Sequence, residues 1–209
     1  MLRRSFISAL VLSGLLAGAG CAQDNYPHEA ELLATLESWQ LGSVLADVGA
    51  GRGELTREAA KDVGPTGRVY ATELDPKKLA ALKELAAEDK NVTALAAGDA
   101  DTNLPPDCCD AIFMRLVYHH LTKPAEIDAS LFRSLKPGGL LAVIDEEPPP
   151  GSSIPEGVPK NRGGHGVPQK ILIEELTAAG FKVVTIRNDW PGHGFGSPTY
   201  CVLFRKPAT

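Results

Sequence analysis

Cysteine is scarce in this sequence, basic charge is in deficit, and long apolar runs are confined to one end. Four cysteines (Cys21, Cys108, Cys109 and Cys201) in 209 residues are too few for a disulfide scaffold. Lysine plus arginine number 21 against 26 aspartates and glutamates, a net charge of −5. An acidic chain is poorly suited to the phosphate backbone unless its charge is strongly segregated, so no nucleic-acid partner is expected. Beyond the first 21 positions no stretch of 18 apolar residues occurs, which excludes an internal membrane-spanning helix. At 44% apolar and 22% charged residues the chain is also not a disordered one, and its length suits one domain with a tail. Glycine (21) and proline (16) are plentiful, more so than in a helical bundle.

The apolar end is the N-terminus. Arg3 and Arg4 precede the run Phe6 to Leu16, and small residues follow from Ala17 to Ala22. A basic start, a short apolar stretch and a small-residue end make a secretory signal, which predicts a leader over 1–22, a domain over 23–209, and export across the inner membrane. If the leader is spurious, the location is cytoplasmic. Cys21 after small residues resembles a bacterial lipoprotein cleavage site, implying membrane attachment through a lipidated Cys21; ordinary cleavage after Ala19 or Ala22 is the alternative. Arg3-Arg4-Ser5-Phe6-Ile7 resembles a twin-arginine signal, against a plain basic segment.

Further on, helical and strand patterns alternate. Leu32, Leu33 and Leu36 predict a helix over 28–39. Apolar runs at 43–48, 68–73, 92–97, 111–114 and 140–144 predict five strands, with helix faces Leu55/Ala59/Val63, Leu79/Leu82/Leu85 and Ile127/Leu131/Leu135 between them. Asp75-Pro76 is a capped helix start. A last helix over Leu172, Leu176 and Ala179 closes at Gly180, and strands follow at 181–187 and 199–204. This alternation implies a parallel sheet covered on both faces, with ligands at the carboxyl ends of its strands. Residues 148–168, with six prolines and five glycines, form a long loop.

The chemistry-bearing residues fall at those strand ends. Asp47-Val48-Gly49-Ala50-Gly51-Arg52-Gly53 follows the first strand, and its glycines permit a tight turn and close backbone approach. A carboxylate at Asp47 repels a pyrophosphate and suits a cationic amine. Together with the close glycine spacing, this argues against a dinucleotide-dependent oxidoreductase. Glu73 ends the second strand, where a carboxylate can accept two hydrogen bonds from a ribose diol. Gly98-Asp99-Ala100 ends the third, where an acid can accept from an exocyclic amine. Each residue also has a plain structural role available: a tight turn for the glycines, a solvated strand end for Glu73, a turn former for Asp99. Arg115, after the fourth strand, either lines the pocket or makes an ion pair.

With these residues the sequence resembles the class I S-adenosylmethionine-dependent methyltransferases. Asp47 to Gly53 matches their first motif, Val69 to Asp75 their second-strand motif, Gly98 to Ala100 their adenine-side motif, and Leu135 to Gly139 the turn before their fifth strand. The resemblance spans about residues 41–206. It implies an α/β, Rossmann-like fold of seven mostly parallel strands, the last antiparallel, with helices on both faces. It also implies S-adenosyl-L-methionine as cofactor, held by Asp47, Gly49, Gly51, Gly53, Glu73, Asp99, Ala100 and Arg115, and a small-molecule methyl acceptor. The export signal and the Pro/Gly-rich loop depart from the family pattern. The alternative to an enzyme is a module that binds the cofactor without turnover.

Tyr118-His119-His120 follows the fourth strand, where the family presents residues to the methyl group. A neutral imidazole there can take a proton from an acceptor, and His165, in the long loop, is a further candidate base. That loop, too irregular to be core, is expected to form a lid with His165 on its inner side. No metal site is expected, because neighbouring histidines point apart on most backbones. Cys108-Cys109 reads as an unpaired loop-to-strand entry. Trp190, His193 and Phe195 read as hairpin packing.

Overall fold

The computed structural model describes residues 25–192 and 197–208. The leader, Arg3, Arg4, Cys21, His193 and Phe195 lie outside these residues. Seven strands form one sheet in the order β3-β2-β1-β4-β5-β7-β6. They are β1 (Val44–Val48), β2 (Arg68–Glu73), β3 (Val92–Ala96), β4 (Cys109–Arg115), β5 (Leu135–Glu146), β6 (Lys182–Trp190) and β7 (Thr199–Arg205). The first five run parallel, and β7 is antiparallel to both β5 and β6. The expected fold class is therefore the observed one. The order reverses between β1 and β4, the switch point at which a ligand crevice opens in such sheets.

Helices α1 (Tyr26–Glu37), α2 (Glu54–Val63), α3 (Pro76–Glu88), α4 (Pro124–Ser134) and α5 (Gln169–Ala178) cover the sheet. Most residues of the predicted faces are buried, while Leu32, Leu36, Leu79 and Ala179 are half-buried. Leu55, Ala59 and Val63 pack with Leu33 of α1 on one side of the sheet; Ile127, Leu131, Leu172 and Leu176 pack on the other. Alternate residues of β4 separate onto the two sides, Ile112 and Met114 onto one and Ala111 and Phe113 onto the other. This is the period-2 alternation of a strand buried on both faces. Asp75 caps α3 by accepting from the amides of Lys77 and Lys78. No described helix is long and apolar enough to cross a membrane.

Three expectations change. The turn Lys136 to Gly139 lies within a longer β5, because residues from Leu135 onward already pair with β4 across a register shift. Cys108 and Cys109 are paired with one another at the entry to β4. The long loop is also not wholly outside the core. Arg162, at the end of a short 3₁₀ turn (Lys160–Arg162), is completely buried. Its guanidinium donates two hydrogen bonds of 2.9 Å to the Glu175 carboxylate and lies over the Tyr118 ring. The Tyr118 hydroxyl bridges Glu175 and Asp128. Glycine and proline content signalled irregular backbone correctly but says nothing of a side chain that plugs into the core.

Candidate functional site

A cleft of about 690 Å³ opens at the carboxyl ends of β1, β2 and β4, within the usual range for small-molecule sites. Asp47, Gly51, Glu73 and Arg115 lie on its wall, and a narrower recess of about 120 Å³ continues past Gly98 and Asp99. Gly49, Glu73, Val117 and His120 border both spaces.

The glycine turn has two separate requirements. Gly51 holds φ +61, and a Cβ there would meet nothing within 4 Å, so its left-handed backbone lies open to a ligand. Gly49, at φ +76, packs so tightly that a Cβ would come 2.5 Å from Val117. Glu73 ties this turn to β2. Its carboxylate accepts from the amide of Gly51 at 2.9 Å and from the amides of Leu74 and Asp75 at 2.8 and 2.9 Å. A carboxylate offers about four lone-pair sites, so room remains for a further donor from the cleft. Asp47 is buried and accepts from the Thr56 hydroxyl at 2.6 Å. Burial raises its pKa to about 7, with the Glu54 and Glu73 charges adding to the rise and Thr56 opposing it. A cation in the cleft would relieve that penalty. Thr72 Oγ1, buried in the recess, has no hydrogen-bond partner among the described residues. The open Gly51 backbone, the desolvated Asp47 and this hydroxyl suit a ligand that carries both a cation and hydrogen-bonding groups.

The remaining candidates on this side are less central. Asp99 rims the recess but is mostly exposed and paired with Lys123 at 2.7 Å. Ala100 borders neither space. Arg115 fulfils both readings: it lines the cleft, and its Nε reaches both oxygens of Glu29 at 3.0 and 2.8 Å. The same Glu29 accepts from the Trp190 indole, so Trp190 is packing, as expected.

On the other wall, Leu116 adopts φ +52, a left-handed conformation costing about 1–2 kcal/mol for a non-glycine residue. The turn it makes leads into a short 3₁₀ segment, Tyr118–His120. Here the expectation that neighbouring imidazoles diverge is overturned. Side chains fan out by about 120° per residue in a 3₁₀ turn, not 180° as on a strand, and the His119 and His120 ring centroids are 4.2 Å apart. His165 comes down from the loop to 4.7 Å from His119 and 5.0 Å from His120. Ser152 holds it there by accepting from the His165 amide. Gly166 allows the approach, since a Cβ would stand 2.8 Å from the Glu146 carbonyl and the Pro148 backbone. His119 is fully buried, with its Nδ1 2.7 Å from Asp145 Oδ1. Burial, followed by the two neighbouring histidines, depresses the His120 pKa to about 4, which keeps that ring neutral. Asp145 was not among the residues singled out from the sequence. Its signal was available: an acidic run, Asp145-Glu146-Glu147, at the end of an apolar strand.

A methyltransferase-domain family model matches residues 46–143. The ubiquinone/menaquinone biosynthesis C-methyltransferase UbiE of Stutzerimonas stutzeri is 28% identical over 111 residues, covering 52% of this chain and 43% of that protein. The chain thus spans less than half the length of the curated relatives it matches. Among solved structures, a SAM-dependent methyltransferase from Aquifex aeolicus superposes with a TM-score of 0.69 at 25% identity, covering 88% of this chain and 94% of that one. A protein from Bordetella parapertussis, described as a possible exported protein, shares the fold with a TM-score of 0.63 at 20% identity, covering 88% and 67% of the two chains. Fold, strand-end site and these likenesses together make the chain similar to the class I, S-adenosylmethionine-dependent methyltransferases.

Proposed function

We propose that the protein moves a methyl group from S-adenosyl-L-methionine to a small-molecule acceptor. The observation that carries this reading is the convergence of Asp47, Gly51 and Glu73 on one cleft that His120 borders from the opposite wall. When bound, the cofactor supplies an electrophilic methyl group on a sulfonium. The chain's own residues hold and align: Asp47 takes the cationic amine, Glu73 a ribose hydroxyl on its remaining acceptor site, and the backbone at Gly51 gives clearance. Alignment alone can supply about 7–11 kcal/mol of the barrier. Where the acceptor carries a proton on its nucleophile, His120, the histidine of the three that borders the cleft, is the group placed to meet it, with His119 and His165 packed against its ring. S-adenosylhomocysteine should bind one to one in calorimetry, and a panel of small hydroxyl, thiol and amine acceptors should yield methylated product by mass spectrometry. Absence of S-adenosylhomocysteine binding overturns the reading; binding with no turnover on any acceptor favours the non-catalytic module.

We further propose that residues 1–22 carry an export signal ahead of a domain that begins at about residue 23, and that the domain lies in the periplasm or, where cleavage falls just before Cys21, is held at the membrane through that lipidated residue. The order Arg3-Arg4, apolar run and small residues supports this. The cofactor is made inside the cell, and a twin-arginine route would let the domain cross already folded around it, though one loaded molecule supports one turnover. Replacing Arg3 and Arg4 by Lys keeps the charge and removes the guanidinium. Twin-arginine export should stop, whereas unchanged fractionation of the double variant would refute that route.

A further inference from the structure

We propose that His119, His120 and His165 form a three-histidine site for a divalent transition-metal ion of the zinc class, on the acceptor side of the cleft. One potential ligand nitrogen from each ring lies within 4.8 Å of the others. Three nitrogens around a tetrahedral ion at about 2.0–2.1 Å stand roughly 3.3 Å apart, so small side-chain rotations bring the trio to that spacing. Two of the rings sit on a short 3₁₀ turn and the third on a loop that Arg162 anchors in the core. The scaffold that converges them is therefore rigid rather than accidental.

The surroundings follow the pattern of a built metal centre. Asp145 Oδ1 stands 2.7 Å from His119 Nδ1, and Oδ2 of the same carboxylate accepts from the His119 amide. A carboxylate behind a histidine fixes its tautomer and makes Nε2 the coordinating atom, the arrangement that orients metal-bound histidines and raises their basicity. The donor set is all imidazole, with no thiolate and no carboxylate among the three. That selects borderline ions such as Zn²⁺ over Mg²⁺ or Ca²⁺, which want oxygen. Three protein ligands leave a fourth position open, as in catalytic rather than structural zinc sites. His120 borders both the cleft and its inner recess, so this is the wall the site shares with the space for the methyl donor.

The consequence deepens the methyl-transfer reading and rests on it. An ion here would bind the acceptor through an oxygen, sulfur or nitrogen lone pair and lower the pKa of that group. The favoured acceptors are then small molecules that present a hydroxyl or thiol to a metal. Their proton would pass to solvent water on coordination, with no separate protein base required.

The test uses the full chain, stripped with chelator and titrated with Zn²⁺ alone in a calorimeter. We expect one ion per chain, with His165→Ala weakening binding at least about 100-fold and Asp145→Asn about 10–100-fold, the range for loss of a supporting carboxylate. Co²⁺ in place of Zn²⁺ should give the strong visible absorption of a four-coordinate nitrogen site, lost in His165→Ala. His165 lies in a loop, so its variant should keep the wild-type circular dichroism spectrum; Asp145→Asn is read only if it does too. No Zn²⁺ binding by the wild type, or equal binding by folded His165→Ala, overturns the site. Because S-adenosylhomocysteine binding is measured on the same stripped chain, failure of the ion site and failure of the methyl-transfer reading are separate results.

Discussion

Around the ends of β1 and β2 the cleft is lined by carboxylates and turned backbone; past the end of β4 it is bordered by the His120 imidazole, with His119, His165 and the buried Asp145 packed behind it. The first region is assembled from neighbours in sequence. Asp47 to Gly53 is one continuous turn, and Glu73 reaches it across a single strand pairing in which Val48 stands opposite Thr72. The second is assembled from distant pieces: the 3₁₀ turn after β4, the end of β5, and a loop pinned by Arg162. A site for a fixed ligand can be encoded in short motifs, whereas the wall that meets a variable acceptor is put together by tertiary packing, where loops can change without disturbing the sheet.

If the regions are independent, the largest effect comes from loosening the second. Arg162→Ala removes one partner of a buried ion pair and should cost about 3 kcal/mol of stability in urea unfolding, at the low end for buried pairs because Glu175 is partly reached by solvent. It should also raise hydrogen exchange across 158–166, while S-adenosylhomocysteine affinity stays within about twofold. A large loss of that affinity would show that the two walls are one mechanical unit.

Glu73→Ala attacks the first region. It should weaken S-adenosylhomocysteine by about 1.5–3 kcal/mol, the scale of hydrogen bonds to a charged group. Zn²⁺ binding should be unaffected. Unchanged calorimetric affinity would remove Glu73 from the ribose role and leave it as the brace of the Gly51 turn.

Asp47 gives the pH signature. With its pKa raised to about 7 by burial, the apo protein binds a proton there that a cationic ligand must expel. Affinity should therefore fall by up to about tenfold per pH unit below 7 and level off above it, with about half a proton released per binding event at pH 7. The stability sign is opposite. The folded chain holds this proton more tightly than the unfolded one, so the Asp47 contribution to stability is lost as pH rises from about 4 to 7. Asp47→Asn should flatten both profiles, and a flat wild-type profile would show that Asp47 does not meet the ligand's cation.

Asp75→Ala should have the smallest effect. Loss of the α3 cap lowers the melting temperature by about 2–4 °C, and S-adenosylhomocysteine affinity is retained. A matching loss of affinity would make Asp75 a ligand as well as a cap.

The first region was legible because its signals are local. Glycines at alternate positions after an apolar run can only mean a turn, and acids at the ends of successive strands fall in line once the strands are parallel. Where the reading ran short, it lacked side-chain direction. Asp99 was placed at the right strand end, yet it points outward to Lys123, because a single residue of register decides which way a side chain at a strand end faces. Arg115 was placed correctly, but its partner Glu29 lies in a helix that no motif connects to β4.

The order of strands and helices, the glycine turn and the acids at the ends of β1 and β2 could all be read along the chain. Periodicity and spacing along the chain carry that information, and parallel pairing brings those strand ends together. Folding in three dimensions was needed to bring Arg162 into the core, to stand Asp145 behind His119, and to make three histidines meet. Each of these depends on distances between segments far apart along the chain, where an ångström of packing separates contact from its absence.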